Sequence, residues 1–296
     1  MGGSEAWQTG GVNAESGSCR LSASYNPSSG SLPSRKISVV TMSKLDKTRQ
    51  LIEDAMAWAQ RPVLLLSGGK DSLLLLDLCE PYRERLHLVW ARTSEVFPHM
   101  VDFMRQRTAG WDFKELVSDQ AAYFAKKGLP SAIIPVRQRP HEKPSGVMIQ
   151  SAGYCCKDLQ YRPLVRYVKQ YGADMLLHGQ TVEDLRLLRL SVPGLFKSAR
   201  ETQLVAPLAE WLSDEVMDYC RKQNVDLPLQ YRTGFEDSLE CWNCTVRTDL
   251  KRFVWMQQHC PELATRLGEM MDLVYGTVTA DYETHIKPIL DAAKRP

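Results

Sequence analysis

The chain has 296 residues, 44% hydrophobic and 24% charged, an ordinary globular composition with ample core material. A formal net charge of +2 makes no global demand for a nucleic-acid or membrane partner, and no apolar stretch approaches the ~20 residues of a membrane span. Eight cysteines without an export signal point to a reducing cytoplasm, where metal or redox chemistry outranks a disulfide framework.

Residues 1–41 are Ser/Gly-rich with few large aliphatics and are expected to form a disordered leader or extension, with residues 42–296 as one α/β domain. Leu45–Gln60 carries apolar residues at helical spacing. Val63–Leu66 is an apolar run ending in Ser67-Gly68-Gly69-Lys70-Asp71-Ser72 and passing into a second apolar run to about Glu80, which predicts a buried parallel strand feeding a helix. Leu86–Ala91 and Asp112–Val117 are predicted strands, Pro98–Gln106 and Asp119–Lys127 predicted helices. This alternation predicts βαβ units and a Rossmann-like parallel sheet flanked by helices. Ligands then belong at the carboxyl ends of the strands, beside Ser67 and Thr93.

Ile133–Tyr154, with three prolines and several basic residues, breaks the rhythm and reads as a functional lid or a solvated excursion. Cys155–Gln170 returns to helix, Asp174–Gly179 and Gln203–Ala206 are strands, and Val182–Leu190 is a helix with Arg186 and Arg189 at i, i+3. These two arginines either contact an anionic ligand or lie on a solvated face; Arg247 and Arg252 carry the same two readings. Ser213 is the expected cap of the next helix. Leu227–Cys244 is expected to be loop, followed by helices over Thr248–Gln258, Pro261–Met271 and Asp281–Lys294, an irregular C-terminal region carrying two of the cysteines. Cys79 and Cys220 fall on apolar helix faces as core residues, and Cys260 at a helix boundary.

Two constellations carry chemistry. In Ser67–Ser72 the glycines permit a tight turn and close approach to a ligand. The helix-start amides, the Ser67 and Ser72 hydroxyls and the Lys70 ammonium would cradle phosphate. Cys155-Cys156 and Cys241-Trp242-Asn243-Cys244 form the second. A vicinal pair joined to a distant C-x-x-C suits neighbouring corners of a [4Fe-4S] cube more readily than one zinc ion; zinc, buried thiols and disulfides are the competing readings.

With these motifs in hand the chain resembles the phosphoadenosine phosphosulfate (PAPS) reductase-like branch of the PP-loop (HUP-type) superfamily. Besides the loop, Thr93 with Phe97-Pro98 and Phe103, the cysteine pair with Pro163-Leu164, and Pro207-Leu208 with Trp211 are similar to family segments. So are Tyr231, Gly234, Ser238, Cys241, Cys244 and Thr245 in the closing motif. The resemblance implies a nucleotide, ATP or a sulfonucleotide, bound at Ser67, Gly68, Gly69, Lys70, Asp71, Ser72, Thr93, Gly179, Arg186 and Arg189. Lys70 and Asp71 would be catalytic, with Mg2+, and Cys155, Cys156, Cys241 and Cys244 would hold the cluster. Where the family places an arginine and a lysine, this chain has Thr181 and Gln160, with Lys157 a substitute for the lysine; the reductases' tail cysteine has no counterpart after Cys260.

Three functions compete: ATP-dependent adenylation coupled to sulfur transfer, reduction of adenylyl sulfate or PAPS with an external thiol, and a non-catalytic nucleotide-binding component of a larger assembly. The expected partners are the nucleotide, a nucleic-acid or protein sulfur acceptor or donor, and a second copy of the chain.

Overall fold

The computed structural model describes residues 42–135, 147–184, 202–238 and 240–294. The readings of residues 1–41, of the basic stretch around Arg137–Lys143, and of Arg186 and Arg189 lie outside these residues.

Helix α1 (Lys44–Trp58) starts where Ser43 Oγ accepts the Asp46 amide at 3.1 Å, and it buries Thr48, Ile52, Ala55 and Met56 on one face. Strand β1 (Pro62–Leu66) leads through the glycine turn into α2 (Lys70–Leu78). Strand β2 (His87–Thr93), α3 (Pro98–Arg107), β3 (Asp112–Ser118) and α4 (Gln120–Lys127) repeat the unit. After the short strands β4 (Leu129–Ser131) and β5 (Ile149–Ser151) comes α5 (Tyr154–Cys156). A π-turn over Lys157–Tyr161 joins it to α6 (Arg162–Tyr171). Strands β6 (Met175–His178) and β7 (Gln203–Val205) complete the main sheet. Helices α7 (Ser213–Gln223), α8 (Leu229–Arg232), α9 (Leu250–His259), α10 (Pro261–Asp281) and α11 (Lys287–Ala293) follow.

The main sheet is five-stranded and parallel throughout, in the order β3-β2-β1-β6-β7. Its strand alternation divides the core. Leu64, Leu66, Leu88 and Trp90 face a large cluster with Ile52, Leu73, Met100, Val216 and Trp255; Val63, Val89 and Leu176 face a smaller one with Val168 of α6. The expected α/β class, a parallel sheet with helices on both faces, is what the chain adopts. Cys79 and Cys220 are core residues as expected.

Polar ties set the edges. Asp174 accepts the amides of Gln60 and Arg61 at 2.7 and 3.0 Å, pinning the entry of β1 to that of β6. Thr48 donates to the Pro207 carbonyl at 3.0 Å and accepts the Trp211 indole N–H at 2.9 Å, so the Pro207–Trp211 segment is a fastening onto α1.

Several local expectations are corrected. Ser213 is the first helical residue rather than the cap; Leu212 precedes it, and Glu215 accepts the Leu212 amide at 2.8 Å, so the acidic side chain supplies the satisfaction expected of the serine. Ile133–Tyr154 contains strand β5, whose parallel pairing with β4 was masked by its brevity. Residues 227–244 contain the one-turn helix α8. The helix expected to stop at Met271 continues to Asp281, because Val274 stays buried and no proline or capping residue intervenes. Among the described residues no helix is long and apolar enough to cross a membrane.

Candidate functional site

Outward from β1 the chain lays down β2 and β3 on one side and β6 and β7 on the other, so the order reverses between β1 and β6. A crevice at the carboxyl ends of two such strands is where open α/β sheets bind ligands. Ser67–Ser72 leaves β1 there, and Gly179 leaves β6.

The loop is closed by its own hydroxyls. Ser67 Oγ accepts the Gly69 amide at 3.2 Å; Ser72 Oγ donates to the Gly69 carbonyl at 2.9 Å and accepts the Ser67 amide at 3.3 Å. Gly68 has φ +81°, a left-handed conformation that side chains resist, and a Cβ there would come 2.8 Å from Met100 Cε. The Lys70 amide donates to the Tyr231 hydroxyl at 3.1 Å. Ser72, read from sequence as a phosphate contact, is buried and shapes the turn instead. Gly179 has a packing reason to be glycine: a Cβ would sit 2.8 Å from Asp71 C and O and Ser72 N, so β6 presses its backbone against the start of α2.

Lys70 Nζ lies 3.0 and 3.1 Å from the two Asp71 carboxylate oxygens. Burial raises the Asp71 carboxyl above its usual range, Lys70 draws it back, and Asp184 adds a further upward push. Asp184 accepts the Thr181 amide at 3.1 Å and the Thr181 hydroxyl at 3.0 Å. Against burial, hydrogen bonds from its own and the Ser213 backbone amides and from Thr181, with a lesser pull from Lys70, hold Glu183 below its usual range. His178, ending β6 beside Asp184, is depressed by burial to about 4. The nucleotide-side group thus combines one ammonium with three carboxylates, Asp71, Glu183 and Asp184. The sequence reading missed Glu183, Asp184 and His178, although Thr181-Val182-Glu183-Asp184 has the spacing of a helix-start capping motif.

The four thiols predicted as ligands come together. Cys155, Cys156, Cys241 and Cys244 line one pocket with Gln120, Ser238, Arg247 and Arg252. The hydrogen bond that Cys155 donates to Cys156, and burial, push the Cys155 thiol up, while the same bond, helped by Arg247, holds Cys156 down. Burial pushes Cys241 up to about 12 against the pull of Thr93, whose Oγ1 lies 3.1 Å from Cys241 Sγ. Thr93 is buried, so its contact in this structure is to a thiol at the end of β2. The Cys241 segment is anchored beside it: Val96 and Cys241 form an antiparallel bridge, and the Trp242 amide donates to the Glu95 carbonyl at 3.0 Å.

Arg252 overturns the solvated reading. It is 4% exposed, and it donates to the Cys241 carbonyl. Burial presses its guanidinium down while Cys244 and Cys241 push it back. Its Nε and Gln120 Oε1 are buried without partners among the described residues. Lys157, the expected stand-in for a family lysine, instead holds Nζ 6.0 Å from the Tyr154 ring centroid, and the cations on the thiol pocket are Arg247 and Arg252.

The donor set limits what could fill it. A mononuclear tetrahedral zinc at about 2.3 Å from each sulfur needs them clustered round one point; among the described residues no three Cys, His, Asp or Glu side chains meet that need. Four thiols lining one pocket, with an unpartnered Arg252 Nε in its wall, are compatible with a larger anionic inorganic group that takes one thiolate at each of several metal atoms. Loop and pocket share a strap: Tyr231 holds the Lys70 amide, and Ser238, which lines the thiol pocket, lies 3.8 Å from where a Gly69 Cβ would be.

The chain is 27% identical over 196 residues to adenosine 5'-phosphosulfate reductase of Deinococcus radiodurans, covering 65% of this chain and 71% of that protein. Among solved structures, PAPS reductase from Candida auris in a phosphate complex gives a TM-score of 0.46 at 14% identity, covering 69% of this chain and 97% of that one. NH3-dependent NAD synthetase from Campylobacter jejuni, in complex with nitrate, gives 0.43 at 11%, covering 83% and 98%. Residues 61–247, from the start of β1 through both cysteine pairs, match the family model of the phosphoadenosine phosphosulfate reductase domain, and the chain belongs to that family.

Proposed function

We propose that the chain is a PP-loop enzyme that adenylates an acceptor with ATP and couples this step to sulfur transfer, with a [4Fe-4S] cluster on Cys155, Cys156, Cys241 and Cys244. The carrying observation is the charge at the crevice. Lys70 pairs with Asp71, whose carboxyl also feels Asp184, and the Lys70 charge reaches Glu183 as well. A bare anionic sulfonucleotide would meet these carboxylates unscreened, whereas a triphosphate arrives with Mg2+, which takes one or two carboxylates together with phosphate oxygens.

Asp71 would then hold the metal, and the Lys70 ammonium would offset the charge that develops on the leaving pyrophosphate. An acceptor oxygen attacks the α-phosphorus, forming one P–O bond as the α,β-bridge breaks and pyrophosphate leaves. A sulfur nucleophile afterwards displaces AMP. The cluster would supply a site for binding or polarising that sulfur. Thr93 and Arg252 orient Cys241, and the Tyr231–Ser238 strap ties the two ends. Gly68, Gly69 and Gly179 keep the backbone close enough for the phosphates to approach. Acceptors of both classes, nucleic acid and protein, follow from the chemistry. The test is Mg2+-dependent pyrophosphate release from ATP on adding candidate RNAs, DNAs or proteins to anaerobically purified chain; silence with all of them counts against this reading.

A second reading, reduction of adenylyl sulfate or PAPS, is favoured by the name of the Deinococcus relative. Burial pushes the Cys260 thiol up to about 11, unsuiting it as the attacking thiolate, so this chemistry would take an external thiol. Anaerobic sulfite release with thioredoxin distinguishes the two.

A further inference from the structure

Arg252 is the charged side chain whose surroundings the family layout leaves unexplained. It stands in the first turn of α9, where Asp249 caps the helix by accepting the Arg252 amide at 2.8 Å. Its guanidinium turns inward, with Cζ 5.6 Å from the Phe97 ring centroid and one Nη donating to the Cys241 carbonyl. Nε has no partner, and Glu240, the carboxylate on the same pocket, pairs with Arg247 at 4.0 Å. Arginine cannot shed its proton to escape burial, so a dry guanidinium with an unmet Nε–H is costly until an acceptor reaches it. The pocket it lines presents four thiols and the buried Gln120 amide, whose Oε1 is likewise unpartnered. Both Arg252 and Gln120 are more than nine-tenths buried.

We infer that Arg252 is the positioning residue for the anionic inorganic group on the four thiolates, giving it a counter-charge and an Nε–H hydrogen bond to sulfur while fixing Cys241 through its carbonyl. This rests on the cluster reading above. It has a thermodynamic consequence that a merely structural arginine lacks. In the metal-free chain the guanidinium has only the Glu240 and Asp237 carboxylates nearby as fixed counter-charge and an unmet Nε–H; with thiolates and cluster in place both are better compensated. Removing the charge therefore weakens the loaded protein more than the metal-free one. It also lowers the reduction potential, because the added electron no longer has a neighbouring positive charge.

The test compares wild type, R252K and R252M, reconstituted anaerobically with iron and sulfide. Iron and sulfide content, the thermal midpoint of each form with and without reconstitution, and the midpoint potential by dye-mediated titration are measured. Wild type should show the largest rise in thermal midpoint on loading and the highest potential, R252M the smallest rise and a lower potential, and R252K values near wild type. Should R252M fail to fold, R252K, which keeps the charge, and R252Q, which removes it, carry the test. Equal loading, equal thermal gain and equal potential in wild type and R252M overturn the inference, as does R252K behaving like R252M. A wild type that takes up no iron and sulfide, or takes zinc instead, overturns the cluster reading first and the inference with it.

Discussion

At the end of β1 polar atoms close on one another, whereas on and beside the segments that carry the four thiols several buried polar atoms lack a partner among the described residues. Ser67, Gly69, Ser72, Lys70 and Tyr231 form a ring of hydrogen bonds between 2.9 and 3.3 Å. Arg252 Nε, Gln120 Oε1 and Asn243 Oδ1 have no such ring. The first region is shaped before any ligand arrives; the second reads as one whose last partners come with its ligand. The comparison predicts that the two sites respond to substitution in opposite ways.

The largest effect is expected from C241A or C156A. Either should remove nearly all bound iron and sulfide while leaving nucleotide binding measurable, because the hydroxyl ring does not use sulfur. Absorption in the visible range and an iron and sulfide assay read the first half, and equilibrium binding of ATP reads the second. If nucleotide binding vanished together with the iron, the strap through Tyr231 and Ser238 would be coupling the sites more tightly than the comparison allows.

His178 is one exception on the nucleotide side, with Glu183 Oε2 another: its Nδ1 is buried without a partner among the described residues, and burial depresses the imidazole to about 4. The folded value lies below the unfolded one of about 6.5, so the unfolded chain binds the proton more readily between them. The neutral form's stability is complete above pH 6.5 and is lost as pH falls toward 4, a swing of about 3 kcal/mol. Urea unfolding from pH 7 to 4.5 should show that loss, and H178N should flatten it. An unchanged slope in H178N would assign the acid sensitivity to other groups.

G179A comes next. A Cβ 2.8 Å from the Asp71 and Ser72 backbone has no flexible side chain to displace, so the start of α2 must move. Overpacking of this kind costs about 1–3 kcal/mol and should weaken ATP binding with iron content unchanged. Unfolding and binding isotherms on the same preparation check both halves.

Much of this was legible in advance, and the parts that were not share a cause. The parallel sheet followed from apolar runs that alternate with helical periods, and the loop from Ser67–Ser72 itself. The four cysteines were legible as a set, because a vicinal pair and a C-x-x-C are local patterns. The carboxylates at Glu183 and Asp184 were missed: they matter through their distance from Lys70, which the chain brings about only by placing β6 beside β1. Arg252 kept two readings in sequence, anion contact or solvated face, since its burial depends on Phe97 and the Cys241 segment folding over it. Gly179 was marked for a ligand when its glycine is demanded by the neighbouring backbone.

The smallest effect is the sharpest discriminator, because it pairs two conservative losses of a polar atom. Y231F removes the acceptor of the Lys70 amide and leaves a buried N–H unmet, which costs about 1–3 kcal/mol. Q120L in the metal-free chain removes an atom that already lacks a partner, replacing it with apolar volume of similar shape, and should cost less than about 1 kcal/mol. Urea denaturation of the metal-free variants should rank Y231F well below Q120L in stability. After reconstitution the ranking should narrow, because the Gln120 amide, reoriented to offer N–H toward sulfide, gains a partner that leucine cannot supply. Equal destabilisation in the metal-free state would mean that Gln120 is satisfied by water, and the contrast between the ring and the pocket would then rest on Arg252 alone.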